Sequence, residues 1–169
     1  MFQFLLYALC VLWGENIRGG EKTISQSLVE LIEKNADKLA KQWLKDVRQN
    51  THTHFYHTYD EERLYQRAFD IYKNLGQFLS VQTPKEQTSK YYRKYGQDRC
   101  QEGFPLAQLI YSFILFRRHL WLFILHVGFL ETAYELLRAM ELNNRVILFF
   151  DRAMHNMVLG YGDCLKKKG

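Results

Sequence analysis

An all-α fold, an antiparallel bundle of about five helices, follows from three features of the sequence. From Thr23 onward apolar residues recur three and four apart, with no sustained strand-like alternation. Aromatic residues make up 15% of the chain against only two prolines, a composition suited to dense and regular packing. Capping and stop residues punctuate the pattern at helix-length intervals.

The first helix is expected from about Ile24 to Arg48, with Leu28, Leu31, Ile32, Leu39, Trp43 and Val47 on one side. A loop over Asn50 to Tyr59 follows. Asp60 caps a second helix whose first turn holds Glu61 and Glu62, favourably placed against the helix dipole. Its apolar stripe is Leu64, Ala68, Ile71, Leu75, Phe78 and Leu79, and Ser80 to Thr83 ends it. Thr83, Pro84 and Glu86 then combine a capping box with proline at the first helical position. This third helix is expected to reach Glu102 and stop at Gly103. Its inward stripe, Thr88, Tyr91, Tyr92, Tyr95, Arg99 and Glu102, is polar for a core face. The fourth helix runs from near Pro105 to about Val127, with Gly128 as its stop. The last begins near Glu131 and is followed to Leu159, ending at Gly160 and Gly162. Short connections favour antiparallel neighbours.

The 169 residues fit one domain, expected over 21–162, with an apolar extension over 1–20 and a basic tail over 163–169. The net charge of +5 comes partly from Lys166, Lys167 and Lys168, a cluster too short for a nucleic-acid footprint. No nucleic-acid partner is expected. Cys10, Cys100 and Cys164 are odd in number and widely spaced, which suggests neither a disulfide framework nor a zinc site and favours a reducing, cytoplasmic setting. Phe2 to Trp13 form an apolar run shorter than the ~20 residues that span a bilayer, without the basic start or cleavage site of a signal peptide. Two readings stay open for it: a structured or membrane-touching extension, and residues foreign to the native protein. The fourth helix is long enough to cross a membrane, but Arg117, Arg118 and His119 at its centre favour a buried core helix.

At about 100° per residue, Arg117 falls within the apolar face of the fourth helix, beside Leu106, Ile110, Phe113, Leu120 and Ile124. Gln108, Ser112, His119 and His126 form a narrow polar stripe elsewhere. On the last helix Leu136, Met140, Ile147, Met154 and Val158 define an apolar face that contains Asn143, Asn144 and Asp151. Buried groups of this kind need partners, a ligand or each other. A hairpin turning near Phe129 sets Arg117 level with Asn143 and Asn144 and leaves Asp151 about two turns away. Asp151 is therefore expected to pair with a base on the third helix, Arg99. The candidate site is this set, Tyr92, Tyr95, Arg99, Arg117, Asn143, Asn144 and Asp151, read as a core polar network or as the lining of a ligand pocket. Glu141 and Arg145 are expected as an outward i,i+4 pair.

Other chemistry is sparse. His52, His54 and His57 with Asp60 lie in a loop without the fixed geometry of a metal site, so a solvated loop is the preferred reading and no metal is assigned. His119, His126 and His155 are the candidate haem ligands. No phosphate loop, nucleophile motif or HExxH motif is present.

The stretch Gly96 to Trp121 carries a resemblance. Arg99, then Glu102-Gly103-Phe104-Pro105-Leu106, Leu109-Ile110 and Phe116-Arg117-Arg118-His119-Leu120-Trp121 resemble the N-terminal helical domain of the RsbT co-antagonist RsbRD, and Trp43-Leu44 extends the likeness to about residues 25–162. The resemblance implies a bacterial input module of stress signalling with no catalytic residues. It also implies a globin-like fold, since relatives in the wider stress-regulator group have globin-like input domains without haem. With no output domain before Gly169, the signal is expected to pass through a protein partner or through a homodimer. The expectation is thus a non-enzymatic sensor or regulatory interaction module, its ligand and cofactor unassigned. Two alternatives stand: a helical protein binding haem or another small molecule, and a regulatory subunit tethered to a membrane by residues 2–13.

Overall fold

Two asparagines break helices that apolar periodicity alone would run straight. In the computed structural model, which describes residues 24–80, 85–127 and 132–168, α1 (Ile24–Lys34) and α2 (Ala36–Val47) meet at Asn35. There the Asn35 amide donates to the Leu31 carbonyl at 2.8 Å, beside the backbone N–H that bonds the same oxygen. The same device recurs at Asn74, whose amide donates to Asp70 O at 2.8 Å between α3 (Glu61–Lys73) and α4 (Leu75–Leu79). A side-chain amide that competes for a helix carbonyl bends the helix without interrupting its apolar stripe. The five expected helices are therefore seven among the described residues, with a 3-10 turn at His54–His57, then α5 (Lys85–Gln101), α6 (Leu106–Val127) and α7 (Ala133–Lys168).

Asp60 caps α3 as expected, its Oδ1 accepting from Arg63 N at 2.8 Å. Gly103, with φ +84°, ends the turn after α5 in the left-handed conformation that glycine adopts without strain. The residues Thr83 and Pro84, the turn near Phe129 and the extension over 1–20 lie outside the described residues.

α6 is the central helix. By length and composition it could cross a membrane, yet Leu109, Phe113, Phe116 and Leu120 are buried against other helices. Trp43 of α2 stacks on Phe116 with ring centroids 4.2 Å apart, and its indole N–H donates to the Ser112 carbonyl at 3.0 Å. The polar stripe on α6 enters this seam at Gln108 and Ser112 and reaches solvent at His126: the buried Ser112 hydroxyl accepts from Tyr56 at 2.9 Å, and Gln108 Oε1 accepts from Phe55 N at 2.7 Å. Short polar side chains permit the close approach of α2 and the 54–57 turn while satisfying their hydrogen-bonding groups.

α5 and α7 form the most extensive helix pair. They cross backbone to backbone at Gly96 and Gly160: a Cβ on Gly96 would stand 2.0 Å from Met157 O, and one on Gly160 would stand 1.8 Å from Arg93 O. Gly160 was the expected stop of the last helix. The helix instead runs through Gly160 and Gly162 to Lys168, because Gly160 serves the crossing, and part of the expected basic tail is helical. The pair is also tied by a Cys100–Cys164 disulfide, Cα atoms 6.3 Å apart, which corrects the expectation of unpaired cysteines. Their separation of 64 residues carries no sequence signal; the crossing brings them together.

The buried face of α7 is Leu142, Val146, Phe150, Ala153 and Met157, whereas Leu136, Met140 and Val158 are exposed. The expected face is thus rotated by about one residue, ~100° of helix. Only a helix with apolar residues on two faces allows that error, and the second face stands in solvent.

Candidate functional site

The expected polar residues divide into two groups that never meet. Arg99 lies on the tyrosine face of α5 as expected and is only 6% exposed. Its partner is Glu102, one turn further on: Nη2 donates to Oε1 at 2.8 Å. Arg67 of α3 donates to the same carboxylate at 3.0 and 3.2 Å, and the Tyr59 hydroxyl donates to its other oxygen at 2.6 Å. One carboxylate thus serves two guanidinium groups and a phenol. The Arg99 guanidinium also lies 4.8 Å from the Tyr95 ring centre and 5.8 Å from that of Phe104. Among the described residues, Arg99 Nε and Nη1, Arg67 Nη1 and the Tyr92 hydroxyl are buried without a hydrogen-bond partner. The aromatic faces around Arg99 supply part of what those N–H groups lack. Arg67, Tyr59 and Phe104 join the candidate set only through tertiary structure; no spacing in the sequence links them.

Arg117 and Asp151 pair directly, Nη1 to Oδ1 at 3.2 Å, which corrects the expected Asp151–Arg99 pair. The equal-distance register fails because residues 132–141 of α7 are mostly exposed and overhang the body. That shifts the pairing by about two turns, from the level of Asn143 and Asn144 to that of Asp151, ~11 Å along the axis. The pair sits at the surface, with side chains 32% and 53% exposed. Asn143 is half-buried and Asn144 exposed, so neither carries the burial cost expected of it. Arg145 donates to the Leu79 carbonyl at 2.8 Å, closing the end of α4, and Glu141 pairs with Arg138 at 2.8 Å instead.

Burial pushes the phenols of Tyr92 and Tyr95 up; for Tyr95 the nearby Arg99 and Arg67 oppose the shift. Both remain neutral at ordinary pH, and neither can act as a base or an anionic ligand.

The histidines lie elsewhere. His119 Nε2 meets Asp46 Oδ2 at 3.0 Å across α6 and α2. Burial lowers its pKa, against the raising effects of the Asp46 hydrogen bond and charge, with Arg118 adding to the lowering. The pair stands in a groove of about 620 Å³ between α2 and the C-terminal half of α6, with His126 at one end. His155 is exposed on α7. His52 rests on Tyr111 with rings 4.7 Å apart, and His57 Nε2 meets Asn50 O at 3.0 Å. No group of three or more His, Cys, Asp or Glu among the described residues could hold a metal ion.

Haem is one of the alternatives raised by the sequence, and the residues can be tested for it. The interior where α3, α5 and α6 converge is filled by rings: Phe113 meets Tyr92 at 5.9 Å, Tyr95 at 5.8 Å and Phe116 at 5.8 Å. No described histidine is buried among them. The arrangement does not fit the group as it stands: among the described residues no histidine reaches the core, and rings fill the space a haem would need.

No family model and no curated protein matches the chain. Its fold is similar to that of the globin domain of DosC from E. coli in its ferrous form, with a TM-score of 0.65 and 18% sequence identity over 82% of this chain and 89% of that one. The fold is all-α and globin-like.

Proposed function

We propose that the chain is a non-enzymatic sensor or regulatory module of bacterial signalling, of the RsbRD N-terminal type, which works by self-association through α7. The observation that carries this reading is the placement of exposed apolar surface. Among the described residues, eight of the twelve exposed large hydrophobic side chains lie on α7. So dense an apolar surface marks an interaction site. The fold likeness to a globin domain supports the sensor class.

A second copy suits the face. Along α7 the exposed line Leu137, Glu141, Asn144, Leu148, Asp151 and His155 alternates spacings of four and three, the seam of two packed helices. In an antiparallel, twofold pairing about Leu148, that residue meets its own copy and Leu137 meets Leu159 of the partner, which gives apolar complementarity. The test is the solution mass by light scattering of wild type and Leu148→Glu, with circular dichroism as the folding control. The reading expects a dimer that the variant converts to a helical monomer. A wild type that is monomeric at high micromolar concentration, or a variant that stays dimeric, overturns it.

A further inference from the structure

We infer that the groove between α2 and α6 is a binding site for a small organic anion with an aromatic body. This goes beyond self-association and uses neither α7 nor the Arg99 cluster.

The inference rests on the two kinds of surface that the groove brings together. Its floor is apolar, with Phe123 buried and Leu122 47% exposed. Its rim is basic: Lys38 and Lys45, two turns apart on α2, stand on one side with Gln42 between them, and His126 stands on the other. Neither lysine has an acidic partner among the ion pairs of the described residues, whereas Lys41, on the next face of α2, is tied to Asp37 at 2.9 Å. The single acid of the lining, Asp46, is engaged by His119 at 3.0 Å. Two lysines against one carboxylate leave the lining with a net positive charge beside an apolar floor.

Its volume of about 620 Å³ falls within the roughly 300–1,000 Å³ of small-molecule sites. An aromatic ring system laid on Phe123 and Leu122 would remove apolar surface from water. A carboxylate at its edge would reach the lysine ammonium groups, and Gln42 offers a neutral donor between them. A purely inorganic anion would leave the floor uncovered, and a neutral aromatic would leave the lysines unused; the combination selects the aromatic carboxylate class.

The test uses the full chain and 2-naphthoate as the probe, followed by amide chemical-shift changes in a heteronuclear NMR titration. Saturable shifts confined to Gln42, Lys45, His119 and Phe123 are expected. The neutral 2-naphthamide should bind about tenfold more weakly, as the loss of a charge-assisted contact implies. Lys38→Ala with Lys45→Ala should weaken 2-naphthoate by a similar factor without changing 2-naphthamide binding; both positions are exposed, so the fold is retained. No saturation at millimolar probe overturns the inference, as do equal affinity for acid and amide, or shifts centred on Tyr92 and Arg99 instead. None of these outcomes bears on the oligomeric state, which tests the proposal above separately.

Discussion

Whether a polar residue on an apolar helix face costs stability depends on where its charged atoms end up. Arg117 and Asp151 carry the charge outward and meet at the surface, where a pair is worth roughly 0–1 kcal/mol. Glu102 is the opposite case. Among the described residues it is the one carboxylate hydrogen-bonded to two arginines, one of them almost fully buried. Glu102→Gln should destabilise the protein by about 2–3 kcal/mol, below the ~3–5 of a fully buried pair because Glu102 retains some exposure, whereas Asp151→Ala should cost under about 1 kcal/mol. Urea unfolding of the two variants checks the ranking, and equal losses would remove the distinction. His119 offers a second measurement at this scale. Its pKa is lowered in the folded chain, chiefly by burial, so the unfolded state takes up a proton first as pH falls. The contribution of neutral His119 is present above its ordinary unfolded pKa and is lost as pH falls below it. The urea midpoint of the wild type should thus drop between about pH 7.5 and 5.5, around the usual histidine value of ~6.5, and His119→Gln should flatten that slope. A slope unchanged by the substitution would assign it to other groups.

Helices are decided by their crossings as much as by their propensities. Gly160 and Gly162 look alike in the sequence, two glycines near the end of an apolar pattern, and both read as stops. In the structure they do different things. A Cβ at position 160 would collide with the Arg93 backbone, which cannot swing aside, while at position 162 nothing lies within 4 Å. Gly160→Ala should therefore destabilise by at least the ~1–3 kcal/mol of an overpacked contact, and Gly162→Ala should stabilise by roughly 0.5–1 kcal/mol as a mid-helix glycine replaced. Thermal melts of both variants, read with far-ultraviolet circular dichroism, check the opposite signs; two changes of the same sign would count against the crossing. The buried stripes of α2 and α3 were legible because each of those helices buries one apolar face: Leu39, Trp43, Leu64 and Ile71 are all in the core, whereas on α6 only Phe113, Leu120 and Ile124 of the expected face are buried, and Leu109, Leu115, Phe116 and Phe123 beside it are buried as well. The face of α7 was not legible, since a helix apolar on two sides gives no periodic preference between them. Nor were the bends at Asn35 and Asn74, because a side-chain hydrogen bond that tilts a helix leaves its apolar spacing intact.

At the scale of the whole chain, an all-helical, globin-like fold followed from spacing and resemblance, while the site did not. Tyr92, Tyr95 and Arg99 could be placed on one face from the sequence, but the Glu102 partnership that joins Arg99 to Arg67 and Tyr59 depends on how α3 approaches α5. The groove depends on residues 38–49 meeting residues 119–126, which no local pattern encodes. The same global arrangement bears on the cofactor question. A globin-like fold binds haem only where an apolar slot and an axial ligand coincide. Here the convergence of α3, α5 and α6 is packed with aromatic rings, and the tyrosines there are held neutral by burial. His119, His126 and His155 lie at the α2 seam, the groove and the solvent face of α7. To bring any of them inward a helix would have to rotate by about half a turn, undoing the Trp43–Phe116 stack or the α5–α7 crossing. The protein purified from cells given excess haem precursor is therefore expected to be colourless, and added haemin should give no shifted Soret band beyond that of free haemin. A stoichiometric Soret band lost in His119→Ala or His126→Ala would show that the helices rearrange to admit the group, and would displace the ring-filled interior as the resting state.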